Sequence, residues 1–143
     1  MSWGRLDCPS AARVLALVAA MGAARVGVGH ARDPESSALA AAFVGAWTDR
    51  GGEITAVVSW PDEAASWLRQ ARAVTAGAPD AWLIAGSLAS LRRVCDRLST
   101  STDWDPARTV ACATVGGGAG AIIVPADSLP LGVPTVRAGR TRP

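Results

Sequence analysis

The chain has 143 residues, half of them apolar and 18% charged, with a formal net charge of +2. That length fits one domain burying about two thirds of its surface, and the composition excludes low-complexity disorder outside the ends. The basic residues are all arginine and are scattered, with small groups at Arg92, Arg93 and Arg97 and at Arg137, Arg140 and Arg142, so the dense stripe of a nucleic-acid interface is missing.

Ser10 is placed to cap a first helix over 11–21, where Val14, Leu17, Val18 and Met21 recur at helical spacing before Gly22. The run "VLALVAAMGAA" (14–24) also looks like the apolar part of a signal peptide. Asp7 sits in the would-be basic region, however, the run is too short to span a membrane, and the helix accounts for it. "RVGVG" (25–29) then reads as a short buried strand that stops at "GHARD", where Asp33 is a good N-cap and Pro34 a good first helical residue. The second helix is expected over 34–50, with Leu39, Phe43, Ala46 and Trp47 facing inward and "RGG" ending it.

"EITAVVS" (53–59) has the β-branched content of a strand, and Pro61 and Asp62 open a third helix over 60–77 with Leu68, Ala71 and Val74 inward. "DAWLIAG" (80–86) is the third strand, and Ser87 caps a fourth helix whose stripe is Leu88, Leu91, Val94, Cys95 and Leu98. The polar "STSTDWDPA" leads to "TVACATV" (109–115), after which "GGGAG" and "AIIVPA" leave no room for a helix and imply a hairpin or an extended excursion. The remaining "DSLPLGVPTVRAGRTRP" is irregular: residues 1–136 form one domain and 137–143 a disordered basic tail.

Strands alternating with helices give an α/β fold, a three-layer doubly wound, mostly parallel sheet of order 2-1-3-4 with a C-terminal hairpin or extended segment. Val26, Val28, Ile54, Val57, Leu83, Ile84, Val110 and Val115 are expected in that sheet, covered on both faces.

The chemistry-bearing motifs are few. "GVGHAR" (27–32) begins like a dinucleotide fingerprint, but Arg32 stands where the third glycine belongs, and the next strand ends at Ser59 and Trp60 without a ribose-binding acid. "GGGAG" (116–120) lacks the Lys-Ser/Thr of a phosphate loop and reads as a turn. Cys8, Cys95 and Cys112 are odd in number and have no metal-ligand spacing, and Cys95 and Cys112 read as core residues. His30 is the sole histidine, there is no nucleophile elbow, and Asp33, Glu35, Asp62 and Glu63 sit in first helical turns, where they complement the dipole. No catalytic set, metal or cofactor is indicated, so the expectation is a non-enzyme.

Open α/β sheets bind ligands at the carboxyl ends of their strands. That mouth would offer His30 and Arg32 after the first strand, Ser59 and Trp60 after the second, and Gly86 and Ser87 after the third. Free N–H groups around Ser36, Ser37, Leu88 and Ala89 would favour an anionic group such as a carboxylate. A glycine at position 86 would let the backbone approach a bound group.

The succession "GAARVGV" (22–28), a helix ending in "GGEI" (51–54) and "AGAPDAWLIAGS" (76–87) resembles the second lobe of type I periplasmic substrate-binding proteins, the branched-chain amino-acid receptor group of ABC importers. The resemblance spans roughly residues 9 to 115. It implies a lobe that closes with another on a small solute such as an amino acid, in an extracytoplasmic setting, with an ABC permease as partner. The loops it implicates are those after the first, third and fourth strands, here Arg32 to Ser37, Gly86 with Ser87, and Thr114 to Gly116. The ligand-binding candidates are Arg32, Ser36, Ser37, Gly86, Ser87 and Thr114. A single lobe also implies a complement, either a first lobe supplied in trans or a second copy in a homodimer. The same fold serves as the ligand-sensing or interaction domain of regulators, and a Rossmann-like nucleotide-binding enzyme is the remaining alternative.

Overall fold

The structure, a computed structural model, describes residues 2–61, 63–64, 66–114 and 121–129, with side chains from residue 11 onward. Helix α1 (Ser2–Ala20) is followed by β1 (Arg25–Ala31), α2 (Pro34–Asp49), β2 (Glu53–Trp60), α3 (Trp67–Thr75), β3 (Ala81–Gly86), α4 (Leu88–Ser101), β4 (Thr109–Thr114) and β5 (Ala121–Val124), with short 3-10 turns at Pro106–Arg108 and Ala126–Ser128. The sheet order is β2-β1-β3-β4-β5. β1 to β4 run parallel, and β5 pairs antiparallel with β4, Ala111 opposite Val124 and Thr114 opposite Ala121. The expected order 2-1-3-4 is therefore present, extended by the antiparallel strand.

Two apolar clusters fill the space on either side of the sheet. On one face α1 and α2 bury Val14, Val18, Leu39, Phe43 and Trp47 against Val26, Val28, Leu83 and Val110. On the other, α3 and α4 bury Ala71, Val74, Leu91, Val94, Cys95 and Leu98 against Trp60, Trp82, Ile84 and Ala111. Both described cysteines lie in these cores, and burial pushes each thiol up to about 12, which leaves them as packing atoms.

The second of these faces depends on two close approaches. β1 carries Gly27 and Gly29 on the α3/α4 side. A Cβ at Gly27 would lie 2.5 Å from the Val74 carbonyl oxygen and 3.2 Å from the Trp82 ring; one at Gly29 would lie 2.7 Å from the Trp60 ring. Gly29 is thus a notch that lets the Trp60 indole lie across β1, and Gly27 one for the Val74 carbonyl with the Trp82 ring beside it. The Trp82 Nε1 donates to the Val74 carbonyl at 3.3 Å, and the Trp60 ring meets Trp67 edge-on at 6.2 Å.

Several local expectations are corrected. Ser10 lies inside α1, where the preceding turn already supplies carbonyls to the N–H groups that follow, so no cap is needed there. β1 runs on to His30 and Ala31, and β2 to Trp60, because the parallel ladder continues through Ala31 opposite Trp60. α3 starts at Trp67, where the Ser66 hydroxyl accepts the Arg69 N–H at 3.3 Å, and so does not open at Pro61. Leu17 is exposed, and Leu88 is 42% exposed because it is the first residue of α4, beyond the sheet. Val57 is 54% exposed, since β2 is an edge strand that α2 does not reach across. Asp62, Val115, the glycine run 116–120 and the tail 137–143 fall outside the described residues.

Candidate functional site

β1, β2, β3 and β4 end at Ala31, Trp60, Gly86 and Thr114, and α2 and α4 begin at this same edge of the sheet. The register places Ala31 beside Trp60 and Gly86 beside Ala113, so the three sites expected after separate strands do share one edge.

The two helix starts are built differently. At α2 the Asp33 carboxylate accepts the Ser36 N–H at 3.0 Å, and the Asp33 carbonyl accepts the Ser37 N–H at 3.0 Å. These two N–H groups, expected to be free, are therefore occupied. The Ser36 side chain is fully buried, and its hydroxyl oxygen has no partner among the described residues. At α4 the cap is neutral: the Ser87 hydroxyl accepts the Ser90 N–H at 3.2 Å, while the Ser90 hydroxyl returns a bond to the Ser87 carbonyl at 3.1 Å. The N–H groups of Leu88 and Ala89 have no partner among the described residues, and both residues are exposed.

Arg32 leaves β1 as an exposed cation. Its Nε donates to the Ser59 hydroxyl at 3.3 Å, and its backbone N–H donates to the Trp60 carbonyl at 3.1 Å, tying the ends of β1 and β2 together. His30 is a strand residue whose Nδ1 lies 2.7 Å from the Ala31 carbonyl. Thr114 is half-buried at the end of β4, and the positions that follow it in the expected loop lie outside the described residues.

Gly86 is buried, and its missing side chain points inward. A Cβ there would meet the Ser90 hydroxyl oxygen at 2.7 Å, the Ala31 Cβ at 3.3 Å and the Trp60 Nε1 at 3.7 Å. The glycine lets α4 and the Trp60 indole close on β3, which is a packing reason for its presence at this edge. Trp60 itself, expected as a residue following the strand, is its last member and fully buried, and its Nε1 has no partner among the described residues. Ser90 and Gly29, which seat the indole and α4, carry no local sequence signal, since their roles depend on residues from other strands.

Two described cavities lie elsewhere. One of about 490 Å³ is lined by Arg72, Thr75, Pro79, Trp82, Thr102 and Asp103 at the opposite edge of the sheet. The other, about 440 Å³, runs between α1 and β5 past Leu17, Met21, Val110 and Ile123. Among the described residues, what the carboxyl-end edge presents is donation: a guanidinium, two helix N–H groups without a described partner and serine hydroxyls can hold an acceptor-bearing molecule.

No protein-family model matches the chain, and no curated protein matches it in sequence. Solved structures do. The chain is similar to a leucine-binding protein, LivK, from Thermotoga maritima, with a TM-score of 0.57 and 21% identity over 66% of this chain and 27% of that one. It is also similar to a substrate-binding periplasmic protein from Ralstonia solanacearum, with a TM-score of 0.59 and 13% identity over 69% of this chain and 28% of that one. The matched region is little more than a quarter of either protein's length. Together with the mostly parallel five-stranded sheet and its flanking helix pairs, these likenesses give the chain the fold of a lobe of a type I periplasmic binding protein.

Proposed function

We propose that this chain is a solute-binding lobe of an ABC import system and recognises a small solute such as an amino acid at the carboxyl-end edge of its sheet. The observation that carries the reading is the pairing of this fold with two helix starts on the carboxyl-end edge, the place where such sheets bind ligands. Arg32, Ser37, Ser87 and Thr114 are the accessible contacts, while Ser36 and Gly86 shape the floor from buried positions. A permease is the transport partner, and the setting is extracytoplasmic.

One lobe is one wall, and strong small-solute affinity needs most of the ligand surface enclosed. The complement is a first lobe in trans or a second copy of this chain, facing the same edge. Calorimetry of the chain alone against a panel of amino acids and neutral solutes tests the reading. Weak binding with a preference for carboxylate-bearing solutes is expected. Tight, sub-micromolar binding of a neutral solute by a monomer overturns it.

A further inference from the structure

Folding gathers charge that the sequence leaves scattered. Helices α3 and α4 pack side by side as one layer over the sheet, with their apolar residues turned into the core beneath them. Arg69 and Arg72 on α3 and Arg92, Arg93 and Arg97 on α4 are all exposed. Asp96 is the sole acid on either helix, so five arginines against one aspartate give the layer a net charge of +4. The whole chain carries +2, which leaves −2 for everything outside these two helices. The opposite layer has the other sign: α1 and α2 hold two arginines against three acids, a net −1. The domain is therefore polarised across its sheet. The spacing of Arg69 with Arg72 and of Arg93 with Arg97 keeps each pair on one stripe of its helix.

Like charges gathered on one layer repel one another, and an anionic partner relieves that repulsion. Other features of the layer select the kind of partner. The large apolar side chains exposed among the described residues are Leu17, Val57, Leu88, Ile122 and Ile123, and of these only Leu88, at the first position of α4, belongs to the layer. A protein interface draws its strength from aromatic or aliphatic anchors at its centre, and single-stranded nucleic acid stacks its bases on exposed rings. Between the arginines the layer exposes neither. Duplex nucleic acid is read by an element that enters a groove, whereas these two helices lie flat on the sheet. A lipid surface asks for none of these features, because it is a plane of phosphates. Guanidinium groups bind phosphate oxygens in pairs, and clusters of roughly four to eight basic residues on a helical face are enough for recognition of anionic lipid.

We propose that the arginine layer of α3 and α4 rests reversibly on an anionic membrane surface, with the α1 and α2 layer facing away from it. The charge difference between the two layers fixes which side turns to the lipid. Contact through this layer uses a face of the sheet and not its carboxyl-end edge, so it is compatible with a solute site at that edge and does not depend on one.

The experiment is co-sedimentation of the full chain with vesicles of equal parts phosphatidylglycerol and phosphatidylcholine, and with vesicles of phosphatidylcholine alone. Binding to the first and not to the second is expected, and it should vanish as salt rises to about 0.5 M, where charges are screened within a few ångströms. Arg93→Gln and Arg13→Gln each remove one exposed arginine, the first from the layer and the second from α1, and surface changes of this kind leave the fold intact. Arg93→Gln is expected to weaken binding to the anionic vesicles about fivefold, and the double variant Arg93→Gln/Arg97→Gln about twenty-five-fold. Arg13→Gln, on the far side of the sheet, should change it by less than about twofold. Absence of binding to the anionic vesicles, equal binding to both vesicle types, or equal losses for Arg93→Gln and Arg13→Gln overturns the proposal. So does release from the vesicles by a DNA duplex or by polyglutamate at matched charge, which would assign the layer to a nucleic acid or to an acidic protein segment instead.

Discussion

At the edge where the parallel strands begin, the Asp80 carboxylate accepts the Ala24 and Arg25 N–H groups at 3.0 and 3.1 Å. There too Arg108 donates to the Asp80 carbonyl at 2.5 Å and to the Met21 carbonyl at 3.2 Å. These four bonds join the end of α1 and the starts of β1, β3 and β4. At the edge where the strands end, the side-chain bond between strands among the described residues is Arg32 to Ser59, and it is exposed. The contrast is one of bonding: charged groups join four elements at one edge, while at the other the charged tie between strand ends is a single exposed bond.

The largest expected effect comes from breaking the packing beneath the carboxyl-end edge. In Gly29→Val the new side chain starts 2.7 Å from the Trp60 ring, which Trp67 holds from the other side, so the clash has no soft neighbour to absorb it. A loss of about 3 kcal/mol is expected in urea unfolding. Next comes the direct comparison of the two edges. Arg108→Ala is expected to cost about 2 kcal/mol because two partly buried carbonyls lose a charged donor. Arg32→Ala should stay within about 0.5 kcal/mol by the same assay. Equal losses for the two arginines would erase the distinction between the edges.

Ser87→Ala removes the α4 cap and is expected to lower stability by about 1 kcal/mol. Asp80→Asn should have the smallest effect at neutral pH, since an acceptor oxygen remains, and its signature is in the pH dependence. Hydrogen bonds from the Ala24 and Arg25 N–H groups hold the Asp80 carboxyl below its ordinary 3.8. A group lowered on folding contributes stability that is present above its unfolded value and is lost as pH falls through the folded one. Thermal melts of Asp80→Asn between about pH 6 and pH 2 should therefore show a shallower acid decline than the parent chain. An identical decline would mean that other carboxylates govern it.

What the sequence revealed follows from how local each signal is. The alternation of helix and strand, the Asp33 and Ser87 caps and the α4 stripe from Leu91 to Leu98 are written in neighbouring residues, and all are found. The third helix was expected to open at Pro61 and Asp62, a local cap signal, but the Ser66 hydroxyl holds its start at Trp67. Exposure of Val57 depends on which strand ends up at the edge, and the Asp80 and Arg108 tie joins residues 28 positions apart. At the mouth, the shared edge of Arg32 and Ser87 was legible from the βα rhythm, and Thr114 was added by the family resemblance. That Asp33 fills one helix start while Ser87 leaves the other open depends on side-chain geometry, as does the inward direction of the Gly86 Cβ.

The notches in β1 also constrain the order in which this sequence can change over generations. Trp60 and Gly29 share one volume, whereas at Gly27 the Val74 carbonyl also closes the space. A lineage that first trades Trp60 for a smaller residue opens a void, which a later alanine or serine at position 29 can fill. The opposite order passes through an overfilled core and a chain too unstable to persist. Ancestry should therefore show the tryptophan leaving before the glycine, and the glycine arriving before the tryptophan.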